Sequence, residues 1–303
     1  MIQTRRIGEA RVTRVVEYSA PTHDPAFLFP DLSREELDGF AAELAPHHYI
    51  PPMNRLVVTI QIWVVEIGDK VILIDTGVGN GKPRSAPRMR NLNNRVPEWI
   101  EAATGGLDRV THVVQTHLHA DHTGWNTVLE DGRWVPAFPN ARYLMPKADY
   151  DYWAEAIAAN PDIAMDNSWE DSVAPVVAAG AVDFVESDAG VILGCLKVEP
   201  VPGHTPGMLS YRLQSAGEEG LFCADVFHSP LQILKPDLNT AYCVLPEIAR
   251  ATRRRVLEEA AETGTLLMPM HFGVPYCGYI RRRGEGFAFE GADWPELALP
   301  DPA

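Results

Sequence analysis

Residues 115–124 read QTHLHADHTG, and three of the ten histidines of the chain, His117, His119 and His122, crowd there around Asp121. Neutral imidazole and carboxylate are the donors that zinc and other borderline divalent ions take, and no thiolate stands among them. In extended backbone, residues i and i+2 project to one side, so His117 and His119 can reach one ion together. His122 breaks the alternation. A turn around Ala120-Asp121 sends Asp121 and His122 toward a second position close by, and the spacing favours two adjacent metal positions over one. One loop offers too few ligands for both. The segments PGHTPG (202–207), CADVFH (223–228) and PMHFG (269–273) add His204, Asp225 and His271. Taken singly, either histidine reads as a hydrogen-bonded structural residue and the aspartate as a strand-end cap. Four such segments together point to a metal centre.

These segments need strands to carry them. RLVVTIQIWVVEIG (55–68) and DKVILIDTG (69–77) read as a hairpin turning at Gly68-Asp69. The N-terminal MIQTRRIGEARVTRVVEY reads as a first strand, DRVTHVVQTH as a strand running directly into the histidine cluster, and VILGCLKVEPVPG as a strand ending at a turn. GMLSYRLQS, GLFCADVF and TLLMPMH are further strands. Helical signal lies at Pro97–Ala103, ended by Gly105-Gly106, in ADYDYWAEAIAA before Pro161, and in PEIARATRRRVLEEAAETG, the longest candidate. The stretch from Gly77 to Arg90 is polar and broken and reads as a surface loop. Strands alternating with helices, many in hairpins, suggest an α/β sandwich with helices outside packed sheets. Asp75, His117, His204, Asp225 and His271 each stand where a strand stops, a common way to build a site.

Composition narrows the partners. The net charge of −15 disfavours a nucleic-acid backbone, and the longest apolar runs, such as VILI at 71–74, are too short to span a bilayer. The N-terminus lacks the apolar core of a secretory signal, so a cytoplasmic location is expected. Cys195, Cys223, Cys243 and Cys277 form no CxxC pair and read as small apolar residues. Arg253, Arg254 and Arg255 read as a solvated ion-pair face beside Glu258 and Glu259. Residues 25–55 hold an apolar knot, Phe27, Leu28 and Phe29, followed by a short amphipathic helix with Ser33 as its N-cap. Plain packing, pocket lid and homodimer contact are all open readings of this segment; His47 and His48 in it lack metal-like partners.

T-H-L-H-A-D-H-T-G at 116–124, followed by G-H-T-P-G, A-D-V and M-H-F-G, with D-T-G upstream at 75–77, resembles the motif series of the metallo-β-lactamase superfamily. The resemblance implies an αβ/βα four-layer sandwich over 1–303 as a single domain, with an N-terminal extension at about 19–54. It implies two divalent ions, zinc foremost: His117, His119 and His204 on the first, Asp121, His122 and His271 on the second, Asp225 bridging. Asp75 would orient ligands through hydrogen bonds, and His112 would be structural. Two ions, two carboxylates and a bridging hydroxide would leave a net positive centre for attack on a carbonyl or phosphoryl group, with Asp121 as proton carrier.

Within the superfamily, the commonest zinc β-lactamases have cysteine where this chain has Asp225, and the RNA-processing branch serves a polyanion. No rubredoxin-like or flavin-binding extension follows, and no basic glutathione site is found. A-D-V-F-H-S-P-L-Q-I (224–233) and H-F-G-V-P-Y-C-G-Y-I (271–280) are similar to the methyl parathion hydrolase-like and quorum-quenching lactonase branch. There a tyrosine follows the bridging aspartate by three residues; here His228 stands in that place, as a substrate contact, a proton relay or a polar residue at the rim. Met208, where relatives often carry histidine, either lines the pocket or packs. The resemblance implies a dinuclear hydrolase acting on a small-molecule ester-type bond, foremost a lactone of the acyl-homoserine class. The alternatives are an organophosphate or aryl-ester hydrolase, or a metal-binding regulatory protein without catalysis.

Overall fold

Alternate residues of the strand Arg55–Ile67 enter different cores in a computed structural model of the chain, which describes residues 2–160, 163 and 166–294. Trp63 and Val65 face one way with Ile72 and Ile74 of the strand Lys70–Ile74; Ile62 and Val64 face the other with Val71 and Leu73. Both faces are covered, which is why these strands read as continuous apolar runs. The first face packs on a second sheet through Leu196, Tyr211, Leu213, Phe222 and Met268. The other is covered by Ile100 of the helix Val96–Thr104, Trp153 of Lys147–Ala159 and Val176 of Ala174–Ala178. The outer side of the second sheet, with Leu221, Leu267 and Ile280, lies under Val256, Leu257 and Ala260 of the helix Pro246–Thr263. Helix, sheet, sheet and helix make the four layers, and each buried Leu, Ile or Val between them contributes about 1.5–3 kcal/mol.

In the first sheet, Ile2–Ile7, Ala10–His23, Arg55–Ile67 and Lys70–Ile74 run antiparallel, and His112–Val114, Arg142–Pro146 and Val182–Val185 continue parallel to the last of them. The second sheet is antiparallel except where Glu218–Phe222 pairs in parallel with Leu266–Met268. A parallel pair needs a crossover: the helices Val96–Thr104, Lys147–Ala159 and Pro246–Thr263 provide three, and the histidine-cluster loop with the hairpin of Thr127–Glu130 and Arg133–Pro136 provides the one between His112–Val114 and Arg142–Pro146. The loops that follow the parallel strands therefore gather along one edge of the sandwich.

Several elements differ from the sequence-based expectation. The N-terminus is a hairpin, not one strand, turning at Gly8 with φ +56°, where a Cβ would stand 2.0 Å from the carbonyl oxygen of Ser215. VILGCLKVEP divides into Val191–Ile192 and Leu196–Pro200, antiparallel to each other. The strand before the histidine cluster ends at Val114, so His117 and His119 lie beyond the sheet. The 77–90 loop is irregular but not superficial: Lys82 and Arg84 are fully buried and paired to Asp171. Arg253 turns inward, donating to the carbonyl oxygens of Val226 and Pro236, because loop carbonyls left without strand partners need donors there; only Arg254 and Arg255 stay exposed. The helix stop expected at Pro161 lies outside the described residues.

Residues 19–23 belong to the second strand. Ser33 and Glu36 form a reciprocal capping box at the start of Arg34–Leu44. Leu28, Phe29, Leu37 and Leu44 pack with Tyr49, Leu231 and Leu238 as a separate small core. Among the described residues no helix is long and apolar enough to cross a membrane, and the four cysteines are free.

Candidate metal centre

Asp75 follows directly on the strand Lys70–Ile74, in left-handed backbone with φ +54°, and is fully buried. Its Oδ1 accepts from the Thr116 N–H at 2.7 Å; its Oδ2 accepts from the Thr116 hydroxyl at 2.7 Å and faces His122 Nδ1 at 2.8 Å. One carboxylate thus holds both ends of the histidine cluster. Between those ends the chain makes a single helical turn, Ala120–Thr123, whose exit is closed by the Gly124 N–H on the Gly77 carbonyl at 2.7 Å. A Cβ on Gly124 would stand 1.8 Å from the carbonyl oxygen of Val78, so this approach requires glycine. Asp149, at the start of its helix, accepts from Leu118 N–H at 2.9 Å and from Gly207 N–H at 3.3 Å. It locks the cluster to the His204 loop, and burial pushes its carboxyl up to about 6. No local motif marks Asp149; only the tertiary structure brings these two loops under it.

The seven residues singled out in the sequence converge. His204 Nε2 and His119 Nδ1 stand 2.8 Å apart, and His117 Nε2 is 3.1 Å from the same His119 nitrogen. Asp225 Oδ2 lies 3.2 Å from His204 Nε2 and 3.7 Å from His117 Nε2. Its Oδ1 lies 3.3 Å from His122 Nε2 and 3.1 Å from His271 Nε2. Asp121 closes the second group, 3.7 Å from His122 Nε2 and 3.9 Å from His271 Nε2. Donors held at about 2.0–2.3 Å from one tetrahedral ion stand about 3.3 Å apart, which is the spacing seen. His122 Nε2 and Asp225 Oδ1 are buried and have no hydrogen-bond partner, and such orphans cost free energy unless a ligand satisfies them. The far nitrogens are held: His271 Nδ1 faces the Thr59 carbonyl at 2.9 Å, and His122 Nδ1 faces Asp75. These partners fix which nitrogen points inward. The donor set fits two adjacent divalent ions.

Electrostatics agree. Burial holds His117 and His204 well below the ordinary imidazole range and His119 at about 4, the neutral forms that bind metal. Burial also opposes charge on His122 and His271, but the carboxylates around them, Asp225 first, raise both. Asp225 is held well below the carboxylate range, its burial outweighed by His122, His271, His228 and His117. This centre draws positive charge to itself, by protons if not by cations.

His228 is buried, not at the rim. Its Nε2 lies 3.2 Å from Asp225 Oδ2, and its ring stacks on His271 at 5.0 Å and 18°. The donor atoms of Asp225, His228 and His271 form a third close group, within 4.8 Å of one another. Met208 packs under the second sheet with Val226 and Phe227 and takes no part in the cavity. His112 sits in its strand against the Thr111 hydroxyl. His48 is buried against Phe272, away from the centre.

The centre is the floor of a cavity of about 470 Å³. Tyr18, Phe27, Leu28, Val58, Ile60 and Trp153 form much of its wall. Phe27 is 57% exposed at the mouth, edge-on to Tyr242 with ring centroids 6.0 Å apart, so the N-terminal segment contributes directly to the wall. Tyr18, His23, Arg88 and Tyr242 also line it. None carries a local signal in the sequence, because they come from three segments, the strand Ala10–His23 and two separate loops, that meet only in the folded chain.

The family profile described as the Metallo-beta-lactamase superfamily matches residues 56–271. A comparison with curated proteins returns no match. Among solved structures, hydrolase AbOPH, described as in the beta lactamase superfamily, superposes with a TM-score of 0.81 at 21% identity, over 97% of this chain and 98% of that one. AidC, a dizinc quorum-quenching lactonase in complex with a product, gives 0.78 at 20% identity over 97% and 98%. A probable metal-dependent hydrolase from Staphylococcus aureus gives 0.73 at 16% identity over 97% and 100%. At these identities the structures are evidence of a shared fold. With the profile spanning the strands and loops that build the centre, the chain belongs to the metallo-β-lactamase superfamily.

Proposed function

We propose that the chain is a dinuclear zinc hydrolase that opens ester-type bonds, foremost lactones of the acyl-homoserine class. His117, His119 and His204 would hold one ion and Asp121, His122 and His271 the other, with Asp225 a donor to the centre from between the two groups. The observation that carries this is the spacing of the donor atoms around Asp225, close to tetrahedral edges and on the floor of a largely apolar cavity. Nitrogen and carboxylate donors without thiolate suit zinc. Two ions bound there supply Lewis acidity and bring the pKa of water from 15.7 to about 7.

The protein's own groups do the rest. Thr59 and Asp75 keep His271 and His122 in their orientations. Asp121 has a side chain 25% exposed to the cavity and can pass a proton to the leaving alkoxide. His228 is placed to contact the substrate carbonyl oxygen from beside Asp225. Val58, Ile60, Leu28 and Phe27 hold the acyl portion and exclude water. The lactonase likeness of AidC supports the lactone, and the aromatic share of the wall, Tyr18, Trp153 and Tyr242, favours an aryl ester or organophosphate as the second reading. Zinc-loaded protein assayed on acyl-homoserine lactones, simple lactones and aryl phosphotriesters separates the two. Two zinc ions per chain and lactone turnover are expected. Phosphotriester turnover alone would replace the lactone with the second reading. Metal content far below two per chain after reloading would remove the hydrolase reading altogether.

A further inference from the structure

Arg88 faces the cavity from the 77–94 loop and is its sole lysine or arginine among the described lining residues. The loop is a closed, prearranged structure. Its neck is tied by the Gly81 N–H on the Leu92 carbonyl at 2.9 Å, by the Asn80 side-chain amide on the Asn94 carbonyl at 2.8 Å, and by the Asn94 N–H on Asn80 Oδ1 at 2.7 Å. Arg84 anchors its middle, donating to both oxygens of Asp171 at 2.7 and 3.0 Å. Lys82 is buried on the same carboxylate at 3.6 Å. The Ser85 N–H is taken up by Asp166, and the Arg90 guanidinium holds the Arg84 carbonyl at 2.9 Å.

The two buried cations of the loop are thus satisfied by Asp171, whereas Arg88 has no carboxylate within ion-pair distance among the described residues. Among the described residues its one hydrogen-bond partner is the Tyr242 hydroxyl at 3.5 Å, the outer limit of a hydrogen bond. The guanidinium, half-buried at the cavity wall, keeps nearly all of its five donors without a protein partner among the described residues. This matters more in a chain of net charge −15, whose field repels anions. An anion entering this cavity meets one lysine or arginine cation, carried on a loop whose backbone is already ordered.

We infer that Arg88 is a specificity-determining residue that receives a carboxylate carried by the substrate away from its scissile bond, with the Tyr242 hydroxyl as a second donor. The preferred substrates are then acidic lactones or esters, with the apolar stretch between the two functional groups lying along Met89, Phe27 and Ile60. This rests on the hydrolase reading of the same cavity and narrows it.

The test compares two γ-lactones with side chains of equal length, one ending in a carboxylate and one in a methyl group, on the zinc-loaded enzyme. The ratio of kcat/KM, acid over alkyl, is expected at roughly ten- to a hundredfold. It should be carried by KM and shrink at high salt. Arg88→Met brings the ratio to about one. Arg88→Lys keeps part of it, as a point charge without the planar fork. Arg95→Met, at an exposed helix start outside the cavity wall, leaves the ratio at the wild-type value. A wild-type ratio near one, or a ratio unchanged in Arg88→Met, overturns the proposal. Turnover of the alkyl lactone tests the hydrolase reading separately. If neither lactone is opened, calorimetry of hexanoate against hexanol decides the matter for Arg88: about tenfold weaker hexanoate binding in Arg88→Met upholds the carboxylate site, and equal binding in both proteins overturns it.

Discussion

Asp225 is the side chain on which the two halves of the centre depend, because its carboxylate touches both histidine groups: His204 and His117 at Oδ2, His122 at Oδ1, and His271 at both oxygens. Removing it would take a donor from both proposed ion positions and leave five neighbouring imidazole nitrogens, those of His117, His122, His204, His228 and His271, without their common partner. Asp225→Ala should lower metal content as well as rate, to below one ion per chain by elemental analysis, with activity down at least a thousandfold. Full metal occupancy in that variant would show that the bridging role is misassigned. His228 presents a different case. Its nitrogen touches Asp225 but the ion-facing positions are already filled from six other side chains. Loss of one hydrogen bond to a developing charge costs about 10²–10³ in kcat. His228→Phe is therefore expected to reduce kcat by about a hundredfold while the purified protein still carries two ions; a fall in zinc content would make His228 a ligand instead. The motif residues were legible from type and spacing alone, since metal donors must be few, close and of set chemistry. Whether His228 sits at the rim or against the Asp225 carboxylate is not legible, because that depends on how the 224–233 segment turns after its strand.

At the scale of elements, the 77–94 loop shows how polar sequence can be interior. Its glycines, prolines and arginines resemble a surface loop, yet Lys82 donates to the Thr127 hydroxyl at 2.6 Å, lies 3.6 Å over the Trp134 ring and shares Asp171 with Arg84. Burial, reinforced by Arg84 and resisted by Asp171, lowers the Lys82 ammonium to about 7. A base with a lowered folded pKa binds fewer protons folded than unfolded between about 7 and its unfolded value of 10.5. Stability then rises with pH across that window, because the unfolded chain has more protons to lose. In Lys82→Met this contribution vanishes: chemical denaturation at pH 7, 8.5 and 10 should give a flatter profile than wild type, with the variant gaining most at pH 7. An identical pH slope in both proteins would mean that Lys82 stays charged in the fold. Strands and helices were otherwise read well where period and capping residues agreed, as at Gly68-Asp69, Ser33 and Pro246–Thr263. Short strands were not, because Val191–Ile192 has too few residues to show a period.

Across the whole molecule, the centre bridges the two sheets. His117, His119, Asp121 and His122 follow strands of the first sheet; His204, Asp225 and His271 follow strands of the second. Metal bound there would tie the two halves of the sandwich in the folded state only, and mass action would turn that into stability. At free zinc a thousandfold above its dissociation constant the gain is about 4 kcal/mol, or roughly 6 °C in Tm for a domain of this size. Chelation should lower the melting temperature by about that much and added zinc should restore it, as followed by calorimetry or circular dichroism. A melting temperature indifferent to metal would argue that the ligand loops are already held by protein contacts such as Asp75 and Asp149.

By itself the sequence determined the chemistry: which side chains are donors, that they belong to two adjacent positions, and the order of strands that end on them. Donor type and local spacing are properties of the chain, and period-two burial leaves its mark in composition. The tertiary structure alone decided what surrounds those donors. Asp149 under two loops, Lys82 and Arg84 buried on Asp171, His228 stacked on His271, and the wall shared by Tyr18, Phe27, Arg88 and Tyr242 all join residues dozens to hundreds of positions apart. Such contacts depend on how sheets and crossovers bring loops to one edge, and no local pattern of residues encodes that meeting.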